Sequence, residues 1–123
     1  MENILKTPDV LFGTLYSGSK GNCSIVRING TTVLVDAGRS AKYLCARLAE
    51  CGIEPQDVDA FLITHSHTDH TSALATFTKK YHTPVHAAGA VAREIAHLCA
   101  EGTLVEHPLK FHADIGQISV SSF

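Results

Sequence analysis

The chain has 123 residues, which is enough for one domain of ordinary size with a buried core. Its composition, 45% hydrophobic and 18% charged, favours a folded globular protein over a disordered chain. The formal net charge of -2, with the histidines counted as neutral, excludes a strongly basic nucleic-acid binder, although a local basic patch stays open.

The cysteines and the N-terminus indicate the cellular context. Cys23, Cys45, Cys51 and Cys99 include no C-x-x-C pair, which excludes a zinc ribbon or a thioredoxin-type motif. The N-terminal residues lack the pattern of a secretory signal, so we expect reduced thiols and a cytoplasmic location. No apolar run approaches the roughly 18 residues that a membrane span requires, and no membrane partner is expected.

The first third of the chain is predicted to be a β-meander. Residues 10–16, 23–28 and 31–35 are rich in strand formers. The stretch 17–22, with the sequence SGSKGN, is a strong loop signal. Asn29-Gly30 is a preferred two-residue hairpin turn, because both residues tolerate positive φ.

Helices and short apolar strands alternate in the rest of the chain. Ser40 is a plausible N-cap for a helix that runs to about residue 51. Residues 60–64 form a short apolar run, typical of a strand covered on both faces. Helices are predicted over about 70–81 and 90–100, a strand over 85–87, and further strands from residue 103, the last over 117–123. This order predicts an α/β layered domain. Because the sequence stops inside a strand pattern, we expect a piece of a longer domain.

The segment 64–70 concentrates the chemistry, with the sequence THSHTDH. His65 and His67 are two residues apart, so in extended backbone both imidazoles project to the same side. Asp69 and His70 follow where the chain turns into the next helix, and they can face the same point from a second direction. Crowded histidines repel one another if protonated and leave buried polar atoms unsatisfied if neutral. A bound metal resolves both problems, since imidazole and carboxylate bind zinc, iron or manganese.

The other histidines carry no such pattern. Each is interpreted as a surface residue or a satisfied core residue: His82, His86, His97, His107 and His112.

The pattern H-x-H-x-D-H resembles that of the metallo-β-lactamase fold superfamily. The stretch 33–38, VLVDAG, is similar to that family's strand ending in D-x-G. The stretch 17–24, SGSKGNCS, is similar to the S-G-S-K-G-N-S loop of the YycJ/WalJ-like hydrolases. The resemblance covers about residues 9 to 123. It implies an αββα sandwich, with residues 1–123 as the N-terminal part of a single domain whose C-terminal half is absent.

The resemblance also implies a dinuclear site. It would hold two divalent metal ions, most readily zinc, with manganese or iron as alternatives. His65 and His67 would bind the first ion, and Asp69 and His70 the second, with Asp69 also acting as the catalytic residue that orients the nucleophile. Asp36 would orient a ligand histidine, the alternative being a strand-end aspartate in a plain turn. The family completes its site with two further histidines and a bridging aspartate, which this sequence does not contain.

The loop 17–22 would lie near that site. Its backbone amides could hold an anionic substrate group, and Lys20 could add positive charge. Ser19, Lys20 and Asn22 are therefore predicted substrate contacts. The alternative is a plain connection between strands with a solvated lysine.

For function, the resemblance implies metal-dependent hydrolysis, with phosphodiester cleavage and DNA exonuclease activity as the best match. One alternative is a relative that acts on another ester or thioester, against which the SGSKGN loop argues. Another is a non-catalytic module that binds metal weakly or pairs with another chain. A homo-oligomer is left open.

Overall fold

The computed structural model describes residues 4–6 and 9–122. The strands are β1 Ile4–Lys6, β2 Val10–Tyr16, β3 Cys23–Ile28, β4 Thr31–Val35, β5 Ala60–Leu62, β6 Val85–Ala88, β7 Leu104–His107, β8 His112–Ile115 and β9 Ile118–Ser121. The helices are α1 Ala41–Glu50, α2 Thr68–Thr71, α3 Leu74–Tyr81 and α4 Gly89–Ile95, and short 3₁₀ turns cover Pro55–Asp57 and Ala96–Leu98. The predicted α/β alternation is confirmed.

One mixed sheet organises the domain, with β1 to β7 in sequence order. The strands from β1 to β4 pair antiparallel, and those from β4 to β7 pair parallel. The last two strands, β8 and β9, form a separate antiparallel hairpin. The carboxyl ends of the parallel strands therefore meet at one edge of the sheet, which is where α/β folds place their ligands.

The meander β2–β4 has the predicted bounds. Its tight turn lies at Asn29 and Gly30, with φ of 48° and 87°. These left-handed values are those that asparagine and glycine tolerate, so the turn chemistry fixes the register of Ile28 opposite Thr31.

Each face of the sheet has its own apolar cluster. On one face, Leu34, Phe61 and Val85 lie side by side on neighbouring strands, fully buried beneath α1, α3 and α4. On the other face, the hairpin β8–β9 packs through Ile115 and Ile118 against the sheet. The result is a helix layer, a central sheet and a two-stranded hairpin on the opposite face.

The helix predicted over 70–81 is wrong in one respect: it is split into α2 and α3. In a continuous helix the carbonyl oxygen of Asp69 would accept from Ala73. Instead it accepts from the backbone N–H of Asn22 at 2.7 Å, while Ala73 donates to Ala37 at 2.9 Å. The carbonyl oxygen of His70 likewise accepts from Ala37 at 2.8 Å. Tertiary backbone bonds have replaced the helical ones.

The remaining differences are smaller. The strand predicted over 60–64 ends at Leu62, and the helix predicted over 90–100 ends at Ile95 and continues as the 3₁₀ turn. The strand predicted over 117–123 spans Ile118–Ser121, and Phe123 lies outside the described residues. Strand β1 is not among the strands predicted from the sequence. None of the four cysteines, all of them within the described residues, forms a disulfide, as expected. Among the helices of the described residues, none is long and apolar enough to cross a membrane.

Candidate metal centre

The histidine segment and the aspartate of the D-x-G stretch meet at the carboxyl ends of β4 and β5. These strands are parallel neighbours, with Val35 opposite Leu62. Asp36 follows β4 directly, and its backbone N–H donates to the carbonyl oxygen of Leu62 at 2.8 Å. Segment 64–70 follows β5. The sheet thus brings together side chains that are about thirty positions apart in the sequence, as for the pair Asp36 and His70 with a separation of 34.

Asp36 is a buried carboxylate that accepts three hydrogen bonds. Its Oδ1 accepts from the backbone N–H of Thr64 at 2.8 Å. Its Oδ2 accepts from the Thr64 hydroxyl at 2.6 Å and from Nδ1 of His70 at 2.8 Å. Asp36 has a left-handed φ of 65°, which aspartate tolerates better than most residues. The carboxylate therefore fixes the imidazole of His70 with Nδ1 protonated.

Thr64 fixes the second imidazole in the same way. Its hydroxyl hydrogen is donated to Asp36, so its oxygen is left to accept from Nδ1 of His65 at 2.8 Å. In the neutral form of each histidine the proton is then on Nδ1, which leaves Nε2 as the atom available to a metal ion. Their ring centroids are 4.5 Å apart.

The donor atoms of this cluster are close enough to share a cation. One potential ligand atom each from Asp36, His65 and His70 lies within 4.8 Å of the others. We attribute the Asp36 oxygens to hydrogen bonding, because they already accept three donors. Oδ2 of Asp69 lies 3.4 Å from Nε2 of His70, and this carboxylate is more exposed than that of Asp36. The donor set therefore fits a divalent transition metal such as zinc.

The four predicted ligands are not equally well assembled. The rings of His65 and His70 are 4.5 Å apart and Asp69 lies 3.4 Å from His70, whereas His67 is the N-cap of α2 and, like His65, is exposed. Within residues 4–6 and 9–122, the compact three-residue group includes neither His67 nor Asp69. Metal binding by each of these four residues stays a prediction. The contact of Asp36 with His70 is the one expected of a carboxylate that orients a ligand.

The SGSKGN loop lies against this centre through its last residue. Asn22 donates its backbone N–H to the Asp69 carbonyl at 2.7 Å, and its own carbonyl accepts from Gly38 at 3.0 Å. Ser19 and Lys20 are exposed. Their substrate contacts, and that of Asn22, remain predictions, but the Asn22 amide is already engaged within the protein, with Gly18 and Asp69.

At Gly38 the backbone packs closely against the backbones of Asn22 and Asp69. A Cβ at this position would collide with the backbone of Asp69 and of Asn22. The Tyr16 hydroxyl donates to the Gly38 carbonyl at 2.5 Å. Burial, followed by the neighbouring Cys23, raises the pKa of Tyr16 far above its ordinary value, so the phenol remains a donor. Only glycine permits this contact between three backbone segments.

Sequence reasoning missed several residues around the centre. Thr64 precedes the histidines without a distinguishing signal, and its bridging role depends on the packing of β4 beside β5. Arg39 stacks its guanidinium 3.7 Å from the ring centroid of Tyr43, at the border of the loop. The hydroxyl of Ser66 donates to Glu94 at 2.8 Å. These contacts join different secondary-structure elements or loops, so no local sequence pattern predicts them.

The histidines outside the segment have protein partners or face solvent. His86 and His107 share a hydrogen bond of 2.8 Å between Nδ1 and Nε2, and His107 stacks on Phe111. Burial, followed by His107, lowers the pKa of His86. His112 is exposed and bonded to Asp114 and Ser121. The interpretation of these residues as ordinary satisfied or solvated histidines agrees with these contacts.

The fold and the centre together define a class: an α/β domain with a histidine–carboxylate cluster at the ends of its parallel strands. The family model of the metallo-beta-lactamase superfamily matches residues 16–115, and the chain belongs to that superfamily. Among solved structures, "Rm3 metallo-beta-lactamase" aligns with a TM-score of 0.69 and 19% identity over 90% of this chain and 46% of that one. This confirms the predicted fold class.

Curated relatives also match. "Exodeoxyribonuclease WalJ" of Streptococcus pneumoniae is 41% identical over 70 residues, which is 57% of this chain and 26% of that protein. "Exodeoxyribonuclease YycJ" of Bacillus anthracis is 40% identical over 76 residues, which is 62% of this chain and 29% of that protein. The predicted resemblance to the YycJ/WalJ-like branch is thus confirmed. The matched part spans between a quarter and a third of these relatives' length.

Proposed function

We propose that this chain contributes the first ligands of a two-metal hydrolase site that cleaves phosphodiesters, with DNA exonuclease activity as the specific function. The observation that carries the proposal is the arrangement of His65 and His70. Each imidazole donates Nδ1–H to an oxygen of the protein, which leaves Nε2 of both rings for a metal ion. The names of the curated relatives supply the substrate class.

The two other predicted ligands, His67 and Asp69, would complete the binding of the same two metal ions. His67 would join His65 at the first ion, and Asp69 would join His70 at the second. When bound, divalent ions lower the pKa of water towards about 7 and stabilise negative charge on a phosphoryl oxygen. Zinc suits the imidazole and carboxylate donors best, and manganese or iron fits the same atoms.

The protein's own groups fix the geometry. Asp36 holds His70 in one tautomer, and Thr64 holds His65, so neither ring has to reorient on binding. Asp69 is partly exposed, and its free oxygen can orient a water molecule for attack. The exposed Lys20 and the backbone amides of loop 17–22 would hold the anionic phosphate beside these groups.

The first test is the metal content of the complete gene product, by elemental analysis. About two zinc, manganese or iron ions per chain are expected, with hydrolysis of end-labelled DNA when the metal is present. DNA blocked at either end, RNA of the same sequence, and simple ester and thioester substrates make up the panel. Turnover of an ester or thioester without cleavage of nucleic acid would contradict the assigned substrate.

The matched variants are Asp69→Ala and Asp57→Ala. Asp57 is an exposed aspartate of the first 3₁₀ turn, remote from the ligands in the sequence. We expect Asp69→Ala to abolish turnover with little change in thermal stability, because its carboxylate is partly exposed. Asp57→Ala should retain full activity. Near-parental turnover in Asp69→Ala would refute the two-metal site.

A further inference from the structure

The SGSKGN loop ends in Asn22, whose backbone and side-chain polar groups all have partners within the protein. Asn22 Oδ1 accepts from the backbone N–H of Gly18 at 3.2 Å, and Nδ2 donates to the Gly18 carbonyl at 3.2 Å. One amide thus closes the loop upon itself. The same Nδ2 lies 3.4 Å from the carbonyl oxygen and 3.4 Å from the carboxylate Oδ2 of Asp69.

The backbone of Asn22 adds two bonds at the same place. Its N–H donates to the Asp69 carbonyl at 2.7 Å, and its carbonyl accepts from Gly38 at 3.0 Å. The bond to Asp69 is the one that replaces a helical bond and ends α2. The position of Asp69 therefore depends on the loop as well as on its own helix.

From these contacts we propose that Asn22 is a positioning residue for Asp69, and that its side-chain amide couples the conformation of the SGSKGN loop to the placement of the Asp69 carboxylate. The inference rests on the proposed function in that it takes Asp69 as a ligand of the second metal ion. It differs from the predicted role of Asn22 as a substrate contact.

The geometry explains why an amide is required. The carboxylate Oδ2 of Asp69 lies between Nε2 of His70 at 3.4 Å and Nδ2 of Asn22 at 3.4 Å. An amide nitrogen donates to one lone pair of the carboxylate and leaves the others for a cation, without adding charge. Partners of this kind orient metal ligands, and their loss typically lowers metal affinity by about 10–100-fold.

The experiment is a double-mutant cycle on zinc affinity in the complete gene product, measured by competition with a chromophoric chelator. Asn22→Ser replaces the amide with a shorter hydroxyl side chain that does not reach Asp69, and it preserves the backbone hydrogen bonds of residue 22. We expect it to weaken zinc binding about tenfold in the parent protein and less than about twofold in the Asp69→Ala background. Asn29→Ser, in the exposed hairpin turn, is the matched control and should leave zinc affinity unchanged.

The outcomes separate the two proposals. If Asp69→Ala binds zinc as tightly as the parent, the proposed function fails, and this inference fails with it. The positioning role alone is overturned if Asp69→Ala weakens zinc binding while Asn22→Ser does not. It is also overturned if Asn22→Ser lowers zinc affinity by the same factor in the parent and in the Asp69→Ala background. Non-additive losses support it.

A second measurement is independent of metal and of variants at Asn22. Hydrogen exchange of the Asn22 side-chain amide, followed by NMR in the metal-free parent protein, should be slowed by its partners. Asp69→Ala should speed that exchange, whereas Asp57→Ala should not. Equal exchange in all three proteins would overturn the inference.

Discussion

Two pairs of histidines lie in neighbouring parts of the chain: His65 and His70 between β5 and the end of α2, and His86 and His107 on β6 and β7. Their ring nitrogens have different partners. In the pair His65 and His70, each Nδ1 contacts an oxygen of Thr64 or Asp36. In the pair His86 and His107, the imidazoles bond to one another. Both Nε2 atoms remain for a cation in the first pair, whereas the bond between two neutral rings in the second pair occupies one of the two nitrogen lone pairs and leaves one. The oxygen partners, more than the number of histidines, distinguish the candidate metal site from a pair of histidines bonded to each other.

The largest changes in zinc affinity and stability are expected from replacing Asp36, the oxygen partner of His70. Asp36→Ala removes the acceptor of three hydrogen bonds and leaves His70 free to rotate. We expect zinc affinity to fall by about 10–100-fold and the free energy of unfolding to fall by about 3 kcal/mol. Chelator competition and urea denaturation measure these quantities. Asp57→Ala, at an exposed site, should change neither, and zinc binding at the parental level in Asp36→Ala would remove the distinction between the two pairs.

A smaller effect is expected at the oxygen partner of His65. Thr64→Val preserves the shape and the backbone bond to Asp36 but removes the bridging hydroxyl. The free energy of unfolding should fall by about 1 kcal/mol, and zinc affinity by several-fold. Thr64→Ser should restore both. Thr76→Val, at an exposed position on α3, serves as the control, and an equal loss there would mean that the hydroxyl has no special part in the site.

The smallest effect concerns the second pair. Because burial lowers the pKa of His86, the folded state binds fewer protons than the unfolded state, in which this pKa is about 6.5. Stability should therefore decline as the pH falls below about 6.5. His86→Ala should make this decline shallower and leave the zinc content unchanged, while the exposed His97→Ala should do neither. Thermal unfolding between pH 7.5 and pH 5, at about half-unit steps, tests the slope. A lower zinc content in His86→Ala would mean that the second pair also binds metal.

Local signals predicted the parts of the fold that local chemistry determines. The Asn29-Gly30 turn specifies the hairpin on its own, and Ser40 caps α1 by accepting from the backbone N–H of Tyr43 at 3.1 Å. The break between α2 and α3 was missed, because it arises from backbone bonds to Asn22 and Ala37 that no helical periodicity encodes.

For the candidate site, too, the sequence predicted the features that a local pattern encodes and not those that depend on long-range contacts. The THSHTDH pattern predicted where the histidine–carboxylate cluster lies, since three imidazoles so close in the sequence have few other physical explanations. The pattern could not specify that Thr64 bridges two groups, or that His67 lies outside the compact cluster. Those facts depend on which strand is adjacent to β5 and on the direction of the turn into α2.

The bond between Asn22 and Asp69 joins residues 47 positions apart, and this separation has a consequence for folding. Contacts of such long range form only after large loops have closed, and proteins rich in them fold slowly. In a newly made chain the predicted metal ligands are close in sequence, but Asp36 and Asn22, which contact His70 and Asp69, reach them only after the sheet has assembled. An ion that binds only the finished arrangement would stabilise the folded state by mass action. Zinc present during refolding should therefore leave the rate of the early collapse unchanged. Zinc bound to the folded protein should lower the rate of unfolding.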